Sequence, residues 1–335
     1  MRFSSRALFI LCVSVYGAEA HAQSAESEQP GLADRAAAYH AFMLGRSLEG
    51  AGDLDGAVAS YTQATQLDPS ASGIWAELAA LYARRSQPDE AIVAGSAALD
   101  LDPNDKDAHR ILGLVYAARA GSQDSQDSQV EADVELAVEH LERARNPVLP
   151  DAGLYLTLGR LYVATGQTEN AIEVLTEVLE AEPQFTQALA MLAAAHEARS
   201  EWSAAVAAYE RAVLLSPRRA RYRRRLAASL VNAGRRDRAL EVLRELVVVR
   251  QDDIGAWFQL AELELESDNY DAAETAARRV VELEPEGLRG SFMLSRVLGA
   301  TGRYRAMVDT LLPLVGRVRD SGSAPAQLAS LLQRL

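Results

Sequence analysis

Apolar residues recur at the spacing of an amphipathic α-helix along most of the chain, and the pattern is clearest in residues 152–183. The first part of this stretch has them on one helical face, at i, i+3, i+4 and i+7: Tyr155, Leu158, Gly159 and Tyr162. The second part has them at i, i+4 and i+7: Ala171, Leu175 and Val178. Gly166 separates the two parts and Pro183 ends the second, because glycine readily ends a helix and proline cannot continue one. The pattern predicts a hairpin of two helices about 34 residues long.

Prolines mark the ends of further hairpins at the same interval. Pro69 and Pro103 are 34 residues apart, as are Pro183 and Pro217, and Pro285 lies two such intervals after Pro217. The stretch from Pro103 to Pro183 exceeds two intervals by 12 residues, so one hairpin carries an insertion. The polar tract at residues 121–130 is rich in serine, glutamine and aspartate and has nothing to bury. It is predicted to be a disordered loop.

The hairpins resemble the tetratricopeptide repeat family. That motif has large apolar residues at positions 4, 7 and 11, small residues at 8, 20 and 27, a bulky residue at 24 and proline at 32. The fourth repeat has these residues there: Tyr155, Leu158, Tyr162, Gly159, Ala171, Val178, Leu175 and Pro183. The second repeat has these: Trp75, Leu78, Tyr82, Ala79, Ala91, Ala98, Gly95 and Pro103.

The resemblance implies an all-α fold, a right-handed α-solenoid of about eight helix-turn-helix repeats. The solenoid is expected to span residues 32–319, with repeats that begin near residues 38, 72, 106, 152, 186, 220, 254 and 288. Residues 320–335 are predicted to form a C-terminal capping helix. In the seventh repeat, Glu264 occupies a position that is normally apolar, so the register of that helix is expected to slip onto Leu263.

Residues 1–22 are typical of a secretory signal peptide. Arg2 and Arg6 precede an apolar core at residues 7–15 that is too short to span a bilayer, and small residues before residue 23 offer a cleavage site. A retained amphipathic helix is the alternative. Residues 23–31 are predicted to be a flexible linker. We therefore expect an exported protein, in a bacterial periplasm or secreted, whose mature chain is not inserted in a membrane.

Composition and motifs argue against several classes of function. The net charge of −13 disfavours binding to nucleic acid, which needs a basic surface. The one cysteine, Cys12, lies in the signal segment, so the mature chain is predicted to have no disulfide and no thiolate metal site. There is no HExxH pair, no glycine-rich phosphate loop and no GxSxG sequence. We expect neither catalysis nor a cofactor.

The resemblance also implies where partners bind. In that family, positions 2, 5, 9 and 12 of the first helix of each repeat line a concave groove that holds extended peptides or helices. The candidate groove residues of this chain are Tyr39, Phe42, Arg46, Arg110, Arg160, Arg221, Arg224, Phe258, Glu262, Phe292 and Arg296. Arginine and aromatic side chains suit an acidic or aromatic segment of a partner protein.

The predicted function is a non-catalytic scaffold for protein–protein interaction. An assembly factor for an envelope machine (secretion, pilus or polysaccharide export) and a regulatory subunit of a separate enzyme are the alternatives. The arginine-rich residues 218–225 have two interpretations as well. They form either a solvated surface paired with the protein's own acids or a pocket for an acidic partner.

Overall fold

The computed structural model of the protein describes residues 30–122 and 127–314. These residues form sixteen α-helices and one short 3-10 helix, Leu312–Leu314, and contain no β-strand. The first helices of the hairpins, called A helices below, are α1 (Leu32–Gly50), α3 (Ser72–Arg84), α5 (Lys106–Ala120), α7 (Ala152–Ala164), α9 (Thr186–Ala198), α11 (Ala220–Asn232), α13 (Ile254–Glu266) and α15 (Leu288–Ala300). The second helices, called B helices, are α2 (Leu54–Leu67), α4 (Pro88–Leu101), α6 (Asp127–Ala144), α8 (Thr168–Ala181), α10 (Trp202–Leu215), α12 (Arg236–Val249), α14 (Tyr270–Leu283) and α16 (Tyr304–Leu311).

Each hairpin packs only on its neighbours. Every A helix contacts the B helix of its own hairpin, and each B helix contacts the next A helix. Successive A helices also touch along much of the chain, as α3 does with α5 and α13 with α15. This nearest-neighbour stacking defines an α-solenoid, and the predicted all-α repeat fold is confirmed.

The turn between the A and B helices has the same backbone conformation in most hairpins. Its central residue has a positive φ, between 58° and 84°, at these positions: Gly52, Ser86, Gly166, Ser200, Gly234, Asp268 and Gly302. Four are glycines, which adopt this left-handed conformation without a steric cost. The third hairpin, which carries the insertion, has no such residue in its described part.

The core consists of small and large apolar residues packed between A and B helices, in successive clusters along the repeats. Glycines on A helices make room for B-helix side chains, as Gly113 does for Leu141 and Gly159 does for Leu175. Leu141, Leu158 and Leu175 have no solvent exposure. Full burial of a leucine contributes about 1.5–3 kcal/mol, so each hairpin gains its stability from a few such contacts.

The loop at the insertion ends earlier than the sequence predicts. Helix α6 begins at Asp127, so the prediction of a disordered loop is wrong for residues 127–130. The cause is Asp133, whose buried carboxylate accepts hydrogen bonds from Arg119 on α5 and from Gln129 one turn earlier on α6. Residues 123–126 lie outside the described residues. So do the predicted signal peptide, all of the linker before Pro30 and the capping helix.

Glu264 keeps the regular register of α13, so the predicted slip onto Leu263 is wrong. Its side chain is buried and takes the position that an apolar residue fills in other repeats. Arg244 Nε donates to Glu264 Oε1 at 2.9 Å, and the Asn269 amide donates to Glu264 Oε2 at 2.9 Å. These partners satisfy the buried carboxylate, which is why the helix tolerates it.

Candidate partner-binding face

The A helices share one surface, called the inner face below. It is formed by positions 2, 5, 6, 9 and 13 of each A helix, counted from the repeat starts 38, 72, 106, 152, 186, 220, 254 and 288. A cavity of about 610 Å³ crosses this surface on α1, α3 and α5. A second cavity, of about 200 Å³, lies between α11 and α13.

Three of the predicted groove residues line the larger cavity: Tyr39, Phe42 and Arg110. The Tyr39 side chain is 63% exposed, while the Phe42 ring stacks on Tyr61 with a centroid distance of 5.4 Å. The cavity thus presents one accessible aromatic ring, one anchored ring and one guanidinium. Arg46 is close by and forms an ion pair with Glu77 across α1 and α3, with Nη1 and Oε1 3.3 Å apart.

The remaining predicted residues lie on later repeats and do not meet at one point. Phe258, Glu262, Phe292 and Arg296 belong to α13 and α15, and Glu262 lines the smaller cavity. Arg160 lies between the two cavities in the order of repeats and is exposed. The inner face is therefore an elongated surface that contains these two cavities.

Several of the predicted arginines are paired with the protein's own acids. Arg224 Nε lies 3.5 Å from Asp253 Oδ1, and Arg296 Nη1 lies 3.5 Å from Glu262 Oε1. Arg110 Nε lies 3.7 Å from an Asp107 carboxylate oxygen. Such partly exposed pairs are weak, about 0–1 kcal/mol each, so a partner's carboxylate can compete for these arginines.

The arginine-rich residues 218–225 divide between the two interpretations. Arg224 and Arg225 contact Asp253 and Glu197, whereas the other four arginines form no ion pair within residues 30–122 and 127–314: Arg218, Arg219, Arg221 and Arg223. Part of the run is thus structural, and part is free to meet a partner.

Sequence reasoning missed the position-6 residues of the inner face. Glu77, Ile111 and Gln259 line the two cavities. Positions 2, 6, 9 and 13 follow the i, i+4, i+7 and i+11 spacing of a single helical stripe. That spacing was the available signal, and it would have added these residues to the predicted set.

A family profile described as Tetratricopeptide repeat matches residues 42–106, 156–221, 191–256, 224–287 and 258–306. The chain belongs to the tetratricopeptide repeat (TPR) family. A search of curated proteins found no match.

Solved structures similar to this chain include a TPR protein. The crystal structure of YrrB, described as a TPR protein with an unusual peptide-binding site, has a TM-score of 0.51 and 19% identity, and covers 58% of this chain and 95% of its own. The MamA structure has a TM-score of 0.46 and 24% identity, and the match covers 56% of this chain and 95% of MamA. PilW, described as a type IV pilus biogenesis factor, has a TM-score of 0.47 and 19% identity. The match covers 63% of this chain and 92% of PilW.

Two tyrosines of this TPR solenoid that lie between helices have strongly raised pKa values. Burial, with a neighbouring carboxylate second, raises the pKa of Tyr61 and of Tyr162. Tyr61 Oη donates to Glu49 at 2.8 Å, and Tyr162 Oη donates to Glu142 at 2.5 Å. These contacts join neighbouring helices and stabilise the repeats.

In the described parts of the chain, no group of three or more histidine, cysteine or acidic side chains is placed to hold a metal ion. None of the helices described is both long and apolar enough to cross a membrane.

Proposed function

We propose that this protein is an exported, non-catalytic scaffold that binds a segment of a partner protein along the inner face. The observation that carries the proposal is the cavity of about 610 Å³ on α1, α3 and α5. It combines an exposed aromatic ring, Tyr39, with a guanidinium, Arg110, on a rigid platform of parallel helices. Aromatic and arginine side chains are the residues that contribute most to protein interfaces.

The chemistry of the face favours an acidic or aromatic segment, in an extended or helical conformation. Arginine binds carboxylates through two parallel hydrogen bonds, and an exposed tyrosine packs on aromatic or aliphatic side chains. The net charge of −13 disfavours nucleic acid as the partner.

Binding is tested with the double variant Tyr39→Ala/Arg110→Ala. The partner is first identified by affinity purification from the native host, and its affinity is then measured by isothermal titration calorimetry. Loss of an aromatic anchor and a charged contact should weaken binding by about tenfold or more. The matched control is Tyr304→Ala/Arg305→Ala on α16, because Tyr304 is 64% exposed but lies on a B helix. Equal affinities for the two double variants would contradict the proposal.

Export is supported by the charged start and short apolar core of residues 1–22. Cell fractionation and N-terminal sequencing of the protein from its host test it. A processed N-terminus near residue 23 in the exported fraction is expected. A chain that keeps Met1 and remains in the cytoplasm would contradict export.

A further inference from the structure

Arginines from both neighbouring A helices lie against the N-terminal half of α13, Arg224 at Gly255 and Arg289 at Phe258. Arg221 is an exposed residue about one turn before Arg224. Arg221 and Arg224 lie on α11, and Arg289 lies on α15. We call these three residues the arginine side of the inner face. At positions 2 and 5 of α11, α13 and α15 there is no carboxylate; the other residues there are Gly255, Phe258 and Phe292.

Arg224 is held across the first turn of α13. A Cβ atom at Gly255 would lie 2.2 Å from Arg224 Nη1, so the guanidinium occupies the space that a side chain at residue 255 would take. Arg224 Nε is buried and donates no hydrogen bond; its nearest carboxylate is Asp253, at 3.5 Å. That carboxylate already accepts from the Ala256 backbone N–H at 2.9 Å. Arg224 is therefore positioned by packing, and its charge is only partly compensated.

Arg289 is held from the opposite side by an aromatic ring. Its Cζ lies 4.4 Å from the centroid of the Phe258 ring. A cation–π contact engages the face of the guanidinium and leaves its N–H donors at the edge available. Arg289 and Arg221 are both exposed and form no ion pair with any residue of 30–122 or 127–314.

The C-terminal half of the same surface has the opposite charge. Glu262 and Glu266 on α13 line the cavity of about 200 Å³, and we call them the carboxylate side. Arg296 Nη1 lies 3.5 Å from Glu262 Oε1, and Arg236 Nη2 lies 3.3 Å from Glu266 Oε2. Both pairs are partly exposed, so they neutralise the two carboxylates only weakly.

Apolar side chains separate the two charged sides. Phe258 and Phe292, at position 5, are partly buried and pack against the core of the last repeats. Val231 lines the same cavity as Glu262 and Glu266 and provides an apolar surface on the carboxylate side. A segment that crosses α11, α13 and α15 would thus meet guanidiniums along one flank, apolar side chains beneath it and carboxylates along the other flank.

We infer that this region binds a helical segment of a partner protein in a single direction. The segment has an apolar stripe with carboxylates on one flank and basic side chains on the other. The inference rests on the proposed function, because it assigns a partner and a direction to the same inner face. A reversed segment would place its carboxylates against Glu262 and Glu266, and its basic side chains against the arginine side. Such like-charge contacts disfavour the wrong orientation.

The test uses three synthetic amphipathic helices of about 18 residues, or about five helical turns. All have the same leucine stripe. One has glutamates on one flank and lysines on the other, the second has glutamates on both flanks, and the third has lysines on both. Fluorescence anisotropy should show that the mixed-flank peptide binds about tenfold tighter than the other two. Equal binding of all three peptides, or no binding, would overturn the inference.

Protein variants locate the site. Arg221→Glu/Arg289→Glu should lower the affinity for the mixed-flank peptide by about tenfold. The affinity of this variant should also depend less on salt concentration. The control Arg235→Glu/Arg305→Glu makes the same charge change at two exposed residues that lie off the inner face and should leave affinity unchanged. Adding Glu262→Lys/Glu266→Lys to the first variant reverses the polarity and should restore affinity, with the peptide bound in the opposite direction. Circular dichroism checks that each variant is folded.

The outcomes separate this inference from the proposed function. If Arg221→Glu/Arg289→Glu has no effect but Tyr39→Ala/Arg110→Ala lowers the affinity for the peptide, the partner binds in the larger cavity on α1, α3 and α5. The inference then fails and the proposed function remains. If the polarity-reversed variant does not recover binding, charge does not set the direction, and the inference fails as well.

Discussion

Gly159 on α7 lies against Leu175 on α8 so closely that a Cβ atom at residue 159 would be 2.9 Å from Leu175 Cδ2. Carbon atoms in van der Waals contact are about 3.5–4.0 Å apart, so even an alanine needs the leucine to move. Gly113 has the same relationship with Leu141 in the third repeat, at 2.6 Å from Leu141 Cγ. In the third and fourth repeats, the close approach of the two helices therefore depends on the absence of a side chain at position 8.

Substitution of Gly159 should destabilise the fourth repeat. Gly159→Leu overpacks the interface with Leu175 and should lower the free energy of unfolding by about 1–3 kcal/mol or more, measured by urea denaturation. In a Leu175→Ala background the same substitution should cost less, because the alanine leaves space for it. A neutral Gly159→Leu in the native background would contradict the packing described here.

The positive-φ turns give a prediction that depends on backbone conformation alone. Gly166 has a φ of 75° and no atom within 4 Å of an added Cβ, so Gly166→Ala should cost about 1–2 kcal/mol through strain. Gly73 also has open space around an added Cβ but lies in helix α3. Gly73→Ala should be neutral or stabilising by up to about 1 kcal/mol. Thermal unfolding of the two variants measures the difference, and equal effects would refute the role of the turn.

Asp133 should be the residue that anchors the inserted hairpin. Its buried carboxylate accepts from Arg119 Nε and Nη2, both at 2.7 Å, and this hydrogen bonding lowers the pKa of Asp133. Asp133→Ala should therefore lower the free energy of unfolding by about 2–4 kcal/mol. The control is Asp89→Ala, because Asp89 contacts the same arginine at 3.3 Å but is exposed; it should cost less than about 1 kcal/mol. The reverse order of effects in chemical denaturation would show that Asp133 does not anchor the hairpin.

Two histidines connect α5 and α6. His109 Nδ1 and His140 Nδ1 are 2.8 Å apart, and His109 Nε2 lies 3.1 Å from the Pro103 carbonyl oxygen. Since His109 Nε2–H donates to that carbonyl, His109 Nδ1 accepts the proton of His140 Nδ1. Burial, and then repulsion from His109, lower the pKa of His140 from 6.5.

Stability should fall as the pH drops through the range where His140 titrates. Because its pKa is lower in the folded state, the unfolded chain binds the proton first, and the stabilisation present above pH 6.5 is lost progressively below it. Urea denaturation between about pH 7 and pH 5 should show a smaller pH dependence for His140→Phe, which keeps the stacking on Tyr116. The exposed His40 gives the control His40→Phe. If the free energy of unfolding of His140→Phe changed with pH as steeply as that of the native protein, His140 would not be the cause of the pH dependence.

The sequence by itself determined the repeat, because each hairpin is specified by local signals. Proline spacing, glycine at the turns and small residues such as Gly159 lie within one 34-residue unit, and the helices follow from them. The family resemblance then placed a binding surface on the first helices, and three predicted residues, Tyr39, Phe42 and Arg110, line a single cavity.

Only the tertiary structure decided which charged groups are satisfied. Local periodicity made Glu264 a departure from the pattern, yet Arg244 from the preceding hairpin compensates its charge. The polar tract was predicted to be disordered, yet α6 begins at Asp127 and the buried pair of Arg119 and Asp133 ties it to α5. The partners in these pairs are 14 to 20 residues apart in the chain, and the pairing depends on how the helices pack. No periodic pattern within one helix encodes such a contact, so the charge distribution of the inner face emerges only when the repeats are stacked.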